Sequence, residues 1–317
     1  MPVDGEPTTP IRSPAGLAAL LGVRIPIVQA PMTYIAGAQL AAAVSNAGAL
    51  GVIETTSTQG REDLKRVRDL TDAPVAANIA LAARNDPSTV DVLADAGIRT
   101  VITSAGDPRV MTGRLRDAGM TVFHVVGSLR NALKAADAGV DGVIVEGVEG
   151  GGFKNPQAAS TLVLLPLVAS RVDLPIIAAG GICDGPSMAA ALVLGAQGVQ
   201  MGTRMLTSAE SPIHDNLKNA VVGADETATV MLSVRGLPTM RVLRTPTAER
   251  ALAAGRSDVG LDGIPTLYFT GDLAASMANT GQVAGRIGRV EAVADIIGQT
   301  WAGARAALDD ARARLDA

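Results

Sequence analysis

One phrase recurs along this chain and restricts its fold more than any other feature: an alanine-rich, helix-like segment closed by glycine, then a short apolar run. Asn46–Gly48 precedes Ala49 to Ile53, Asp95–Gly97 precedes Arg99 to Thr103, and Asp117–Gly119 precedes Thr121 to Val126. Asp137–Gly139 precedes Gly142 to Glu146, and Leu194–Ala196 precedes Gly198 to Gly202. Glycine ends a helix without steric penalty, and the apolar run after it reads as a buried strand. Three more runs follow or contain proline: Ile25 to Met32, Pro74 to Ile79 and Pro175 to Ala179. Strands therefore begin near residues 26, 49, 74, 99, 121, 142, 175 and 198, with helix-length gaps between them. That alternation demands parallel strands, and eight of them favour an α/β fold closed as a (β/α)8 TIM barrel over a doubly wound open sheet.

After Arg204 the rhythm changes. Residues 210–268 show a helix from Pro212 to Val222, a mixed run from Thr229 to Thr245 and a loop from Gly255 to Pro265, with no clean strand. This stretch reads as a mainly helical insertion over one side of the barrel mouth, on the substrate side. Residues 1–209 and 269–317 make the barrel and its terminal helices. A polar leader (1–13), Ser13 as helix cap and Pro14 opening a helix to Leu21 come before the first strand, and two helices, 272–287 and 290–315, end the chain.

Composition narrows the function. Aromatics are 2% of 317 residues, so the core is aliphatic and a base-stacking platform is not expected. A net charge of −4 offers no basic footprint for nucleic acid or a membrane surface. One cysteine, Cys183, excludes an internal disulfide and suits a reducing compartment. The apolar runs are too short and broken to span a bilayer, and the N-terminus lacks a secretory layout, so the expected location is the cytoplasm.

Barrel enzymes keep their sites at the carboxyl ends of the strands. Here those ends carry Ala30, Pro31 and Met32, then Asn78, Ser104, His124, Glu146 to Gly152, Gly180 and Gly181, and Gln200, Met201, Gly202 and Thr203. Two consecutive strands, the last two of the eight, end in glycine, which lets a ligand approach the main chain and builds a cup of N–H groups suited to phosphate. With only His124 and His214 as histidines, the mouth holds no metal-ligand cluster, and no strand carries a Schiff-base lysine. A phosphate cup among neutral hydrogen-bonding groups reads as a cofactor pocket.

Gln29–Met32, Asn46–Gly51, Asn78, Glu146–Gly152, Ala178–Ile182, Gln200–Thr203 and the later Gly281–Gly285 together resemble the nitronate monooxygenase (2-nitropropane dioxygenase) family, which includes FMN-dependent enoyl reductases and NAD(P)H:quinone reductases. The resemblance runs over roughly residues 22–300. It implies an FMN site: Ala30 to Met32 beside the isoalloxazine ring, Asn78 hydrogen-bonded to it, Gly151 lining the pocket, and Gly180, Gly181 and Gln200 to Thr203 at the phosphate. Glu146 stands where these enzymes usually have glutamine; it is either a flavin partner, the reading adopted, or an ion-paired carboxylate. Phe153 stands where many members have the histidine that moves a proton, and phenylalanine cannot do so.

Several side chains keep two readings at this stage. His124 shares one side of its strand with Val122 and Val126, as a hydrogen-bonded interior residue or as a substitute proton donor. Lys154 is a solvated lysine or a partner for an anionic substrate. Tyr34 lines the substrate pocket with Phe153 or simply packs. Cys183 reads as a small buried residue rather than a nucleophile. Gly236 to Thr245 is similar to actinobacterial members acting on bulky acyl-CoA-type intermediates. The function implied is an FMN-dependent oxidoreductase acting on an enoyl or acyl thioester or quinone-like substrate, with NAD(P)H as a candidate reductant and a homodimer as candidate assembly. The alternatives are oxidation of alkyl nitronates with O2 and a non-redox barrel binding a phosphorylated ligand. No nicotinamide fingerprint follows a strand.

Overall fold

Eleven strands form two sheets in the computed structural model, which describes residues 14–83, 86, 88–155, 157, 159–233, 238–255 and 261–317. The leader and the Ser13 cap lie outside the described residues. The strands are β1 (Ile27–Gln29), β2 (Gly51–Glu54), β3 (Val75–Ala80), β4 (Thr100–Ser104), β5 (Thr121–Val126), β6 (Gly142–Glu146), β7 (Gly152–Phe153), β8 (Ile176–Ala179), β9 (Gly198–Met201), β10 (Thr229–Leu232) and β11 (Met240–Leu243). The larger sheet runs β1-β9-β8-β6-β5-β4-β3-β2, parallel throughout. A parallel bridge between Val28 and Leu50 joins its two ends. The barrel is closed, which removes the open doubly wound sheet.

The recurrent glycines do what the sequence implies: Gly48, Gly97, Gly119, Gly139 and Gly195 all have positive φ at the end of a helix that feeds a strand. Helix starts are fixed as locally. Asp184 and Ser187 form a reciprocal capping box on the helix Gly185–Val193, with Pro186 in its first turn. Ser57 and Ser128 cap the helices Thr58–Arg66 and Leu129–Asp137.

Strand alternation sorts the apolar side chains into two layers. Val28, Val52, Ala76, Ile102, Phe123, Ile144 and Ile177 fill the barrel interior, and Leu17 and Leu21 of the first helix (Pro14–Leu21) close its amino-terminal end. The residues between them, such as Ala77, Val101, Val122, Val143 and Val199, face the helices. Phe123 is the interior's one aromatic among the described residues, and a Cβ on Gly142 would overlap its ring. The same intolerance appears outside the barrel. A Cβ on Gly51 would come 2.6 Å from the Ala41 carbonyl carbon, where the helix Ala38–Asn46 lies on β2. One on Gly185 would come 2.5 Å from the Ala304 amide, where the last helix, Val293–Leu315, crosses its neighbour.

Two expectations need correction. Residues 210–268 do carry helices, at Asp215–Val222, Pro246–Ala253 and Ile264–Thr270, but they also contain the antiparallel hairpin β10–β11. β11 pairs in turn with β7 of the mouth loop, Met240 opposite Phe153 and Arg241 opposite Gly152. Each strand is only four residues long, and the burial of β11 comes from that tertiary pairing rather than from local alternation. Residues 272–287 are not a helix beyond a short 3₁₀ turn, Gln282–Arg286. Asn279 bridges Val242, and Gly281 is pressed against the Glu149 carbonyl, so the segment is held extended across the mouth. No helix among the described residues is long and apolar enough to cross a membrane.

Candidate active site

The inward register continues past the core layer to the carboxyl end of the barrel. One step above Val28, Ala76, Ile102, Phe123 and Ile144 come Ala30, Asn78, Ser104, Val125 and Glu146, while on β9 Gln200 lies beside Val28, a step lower. The structure therefore brings Ala30, Asn78 and Glu146 to one mouth, with Gln200 in the layer beneath. Asn78 is buried and donates through Nδ2 to the Ile102 carbonyl (2.8 Å) and the Ser104 hydroxyl (3.2 Å). Pro31 and Met32 are half-buried just beyond β1. Met201 differs from expectation: its side chain lies in the helix-facing layer, and its carbonyl accepts from the Ala30 amide (2.9 Å).

β8 and β9 end in the anticipated cup. Gly180 and Gly181 have φ of +83° and +79°, conformations open to glycine and costly for other residues. Among the described residues the N–H groups of Gly181, Ile182, Gly202 and Thr203 have no partner within the chain. A Cβ on Gly202 would touch only Ala30 Cβ, at 3.4 Å. Ile182 and Thr203 are buried and Gly181 and Gly202 half-buried; buried main-chain donors are almost always paired, so free ones grouped at adjacent strand ends suit an acceptor. Gln200 adds an orphan: its buried Oε1 has no donor.

The loop from Gly147 to Lys154 is clamped by the side chains of Thr161 and Arg241 and by the main chain of residues 280–282. Glu149 accepts from the Thr161 amide and hydroxyl (3.0 Å each), capping the helix Thr161–Ala169. Its carbonyl accepts from Gln282 N–H (2.9 Å), and the Gly281 amide donates to the Thr203 hydroxyl (2.9 Å). Buried Arg241 donates through Nε to the Val148 carbonyl (2.9 Å). Burial lowers its pKa, with Glu149 opposing. A Cβ on Gly151 would fall 2.8–2.9 Å from the main chain of Thr280 and Gly281, so the two loops meet backbone to backbone.

Lys154 is not a solvated lysine. It is 7% exposed, and its Nζ reaches Glu146 Oε1 (2.9 Å), the Gly151 carbonyl (2.9 Å) and the Phe153 carbonyl (3.1 Å). Glu146 is thus ion-paired, the reading not adopted from sequence, while its side chain stays 26% exposed at the mouth. Phe153 is exposed beside it. Tyr34 is half-buried, packed toward the helix layer, with φ +69° and its N–H bonded to Glu54.

His124 also needs correction. Phe123 and Val125 face the barrel interior, so His124 between them faces the helices, away from the mouth. It is 4% exposed, with Nδ1 2.7 Å from the Thr103 hydroxyl. Burial lowers its pKa from 6.5 to about 4, opposed by Asp107 and assisted by Lys134. The unfolded chain therefore takes up this proton at higher pH than the folded one. The imidazole's contribution to stability is complete above about pH 6.5 and is lost as the pH falls toward about 4. The loss approaches ~3 kcal/mol as an upper bound. His124→Asn is expected to flatten the pH dependence of the urea midpoint across that window and to leave turnover within a few-fold of wild type. An unchanged pH slope would contradict the burial assignment.

Cys183 is 5% exposed, and burial, reinforced by Asp184, raises its thiol to about 11, so it is no nucleophile at neutral pH. A separate cavity of about 430 Å³ lies behind the cup, but its charges pair among themselves: Arg204 and Arg289 with Glu291, Arg286 with Asp184. Sequence reading missed Thr161, Asn279 and Thr280. Arg241, Glu149 and Gly281 lay inside quoted segments, which was their only local signal.

Fold and site together define a (β/α)8 barrel with a main-chain anion cup at its mouth, the equipment of a cofactor-dependent barrel enzyme. The nitronate monooxygenase family model matches residues 15–88 and 80–301. The chain belongs to the nitronate monooxygenase family, which is flavin-dependent. It is 39% identical over 234 residues to the (3aS,4S,5R,7aS)-5-hydroxy-7a-methyl-1-oxo-octahydro-1H-indene-4-carboxyl-CoA dehydrogenase of Rhodococcus jostii, a match spanning 72% of this chain and 65% of that protein. It is 33% identical to a nitronate monooxygenase of Pseudomonas aeruginosa, over 69% of this chain and 78% of the relative. Among solved structures, FabK from Thermotoga maritima superposes with a TM-score of 0.89 at 33% identity, covering 96% of this chain and 99% of that one. The residues present fit a flavin: free main-chain donors suit a phosphate, and the orphaned Gln200 carboxamide oxygen suits a donor.

Proposed function

We propose that this protein is an FMN-dependent oxidoreductase that exchanges a hydride or electron pair with an activated carbon of an acyl or enoyl thioester, or with a quinone-like acceptor, using NAD(P)H as reductant. The observation that carries this reading is the set of unpartnered N–H groups at Gly181, Ile182, Gly202 and Thr203, which suits a single phosphate better than a diphosphate or a metal. Gly180, Gly181, Gly202 and Thr203 would hold that phosphate, Gln200 and Asn78 the polar edge of the ring, and Ala30 to Met32 with Gly151 its flanks. Bound there, the flavin supplies the redox chemistry; the chain positions it and excludes water. The carboxyl-CoA dehydrogenases among the relatives, at 39% and 37% identity, favour a thioester substrate. Tyr34 and Phe153 stand on the substrate side. The single, buried Cys183 suits a cytoplasmic setting, and a homodimer is the assembly expected in sedimentation.

Phe153 supports a second reading. Oxidation of alkyl nitronates with O2 starts from a substrate that has already lost its proton, so it does not require the histidine this position lacks. The visible spectrum of the purified protein, recorded anaerobically before and after NADH or NADPH, separates the two. Flavin bands that bleach with reduced nicotinamide are the expected result. Bands that persist with both nicotinamides yet bleach with a nitronate favour the second reading. Failure to take up FMN at all overturns the proposal and favours a barrel that binds some other phosphorylated ligand.

A further inference from the structure

The mouth lacks the family's histidine, so the question is which side chain there can take a proton from a substrate carbon. Glu54 spends its carboxylate on Tyr34, Thr56 and Ser57. Glu149 spends both oxygens on Thr161. Lys154 has three N–H bonds and three acceptors, so no proton is left to offer. Arg241 remains a cation, and His124 faces the helices. Glu146 is different. It follows Ile144 on the inward face of β6, one oxygen is held by Lys154, and among the described residues Oε2 has no partner.

We infer that Glu146 is the acid–base residue of this site, with Lys154 as its positioning residue, and that the substrate is a carbon acid: a small molecule whose C–H lies next to a thioester carbonyl or a nitro group. The proton passes from that carbon to Glu146 Oε2. The C–H bond breaks, an O–H bond forms, and the electron pair moves onto the oxygen of the activating group; reversal returns the proton. Lys154 fixes the other oxygen and, through the Gly151 and Phe153 carbonyls, ties the carboxylate to the glycine loop, so base and loop share one geometry. A positioned base contributes about 10²–10⁴-fold to such a step. The inference rests on the proposed reading only for where the substrate sits.

Exchange of α-hydrogens for deuterium tests it without flavin turnover. The FMN-loaded protein is incubated anaerobically in D2O with excess S-propionyl-N-acetylcysteamine or nitroethane, and the loss of the α-proton signal is followed by NMR. Wild type is expected to accelerate exchange. Glu146→Gln is expected to lose about 100-fold or more of that acceleration, and Lys154→Met about 10-fold, with FMN affinity in both within a few-fold of wild type. Should Glu146→Gln misfold, Lys154→Met carries the test. Exchange at the wild-type rate in either variant, or no acceleration by wild type, overturns the inference. Failure to bind FMN with exchange intact would strike the cofactor proposal and leave this one standing.

Discussion

Gly202→Val is expected to lose FMN retention, with an affinity at least ~100-fold weaker, equivalent to ~2.7 kcal/mol, while the apoprotein melts within a few degrees of wild type. The separation of the two effects comes from the site's geometry. Gly202 has φ of −101°, open to any residue, and a Cβ there meets only Ala30 Cβ at 3.4 Å. The fold therefore has room for a side chain at this position. A ligand resting on the Gly202 and Thr203 amides does not, because the branch would stand between the main chain and its phosphate. Titration of the apoprotein with FMN, followed by flavin fluorescence, reads the affinity, and calorimetry reads the fold. A Gly202→Val protein that purifies fully flavin-loaded would remove the phosphate from this cup. The same change at Gly181 is less diagnostic, since φ of +79° adds backbone strain to any loss of ligand.

The largest expected loss of stability lies at Gly51. Its Cα faces the main chain of Ala41, and an added methyl group would overlap the carbonyl of that residue. A flexible side chain could swing away; a helix backbone packed on a barrel strand cannot. Gly51→Ala is expected to destabilise the protein by about 3 kcal/mol or more, at or beyond the upper end of overpacking effects. That is a large fraction of the ~5–15 kcal/mol typical of a domain. Urea unfolding followed by circular dichroism measures it. Gly113→Ala is the control: it lies in the helix Thr112–Asp117, and its Cβ would meet nothing within 4 Å. Equal midpoints for the two variants would show that the helix can retreat from β2.

The barrel was legible because its signals are local. A helix-ending glycine and an apolar run lie within a few residues of each other, so all eight strands start within two residues of where the pattern puts them. The glycine cup was legible for the same reason. The hairpin β10–β11 was not, because neither strand has a pattern of its own and β11 acquires its burial from β7, far away in sequence. Residues 272–287 misled in the opposite sense: alanine and leucine suggest a helix, but contacts with Val242 and Glu149 override that propensity.

Among site residues, alternation correctly grouped His124 with Val122 and Val126 but could not say which side of β5 meets the mouth. The registers of Ile102 and Ile144 decide that. Lys154 was misread because a lysine is normally exposed unless paired, and its partner sits on the end of β6, where sequence gives no sign of reach.

The two-residue strand β7 also sets the order in which this molecule can mature. Strands β2 to β6, β8 and β9 pair with near neighbours in sequence, and β1 closes on β9 once that strand has been made, so the barrel can gather by that point. The glycine loop cannot settle until β11 arrives to pair with Gly152 and Phe153 and until Thr280 and Gly281 press against Gly151. Such distant pairings carry a loop-closure entropy that nearby ones do not, and they form late. A nascent chain ending shortly after β9 would hold most of a barrel and little of a catalyst, so competence is conferred by the last third of the polypeptide on a scaffold built by the first two.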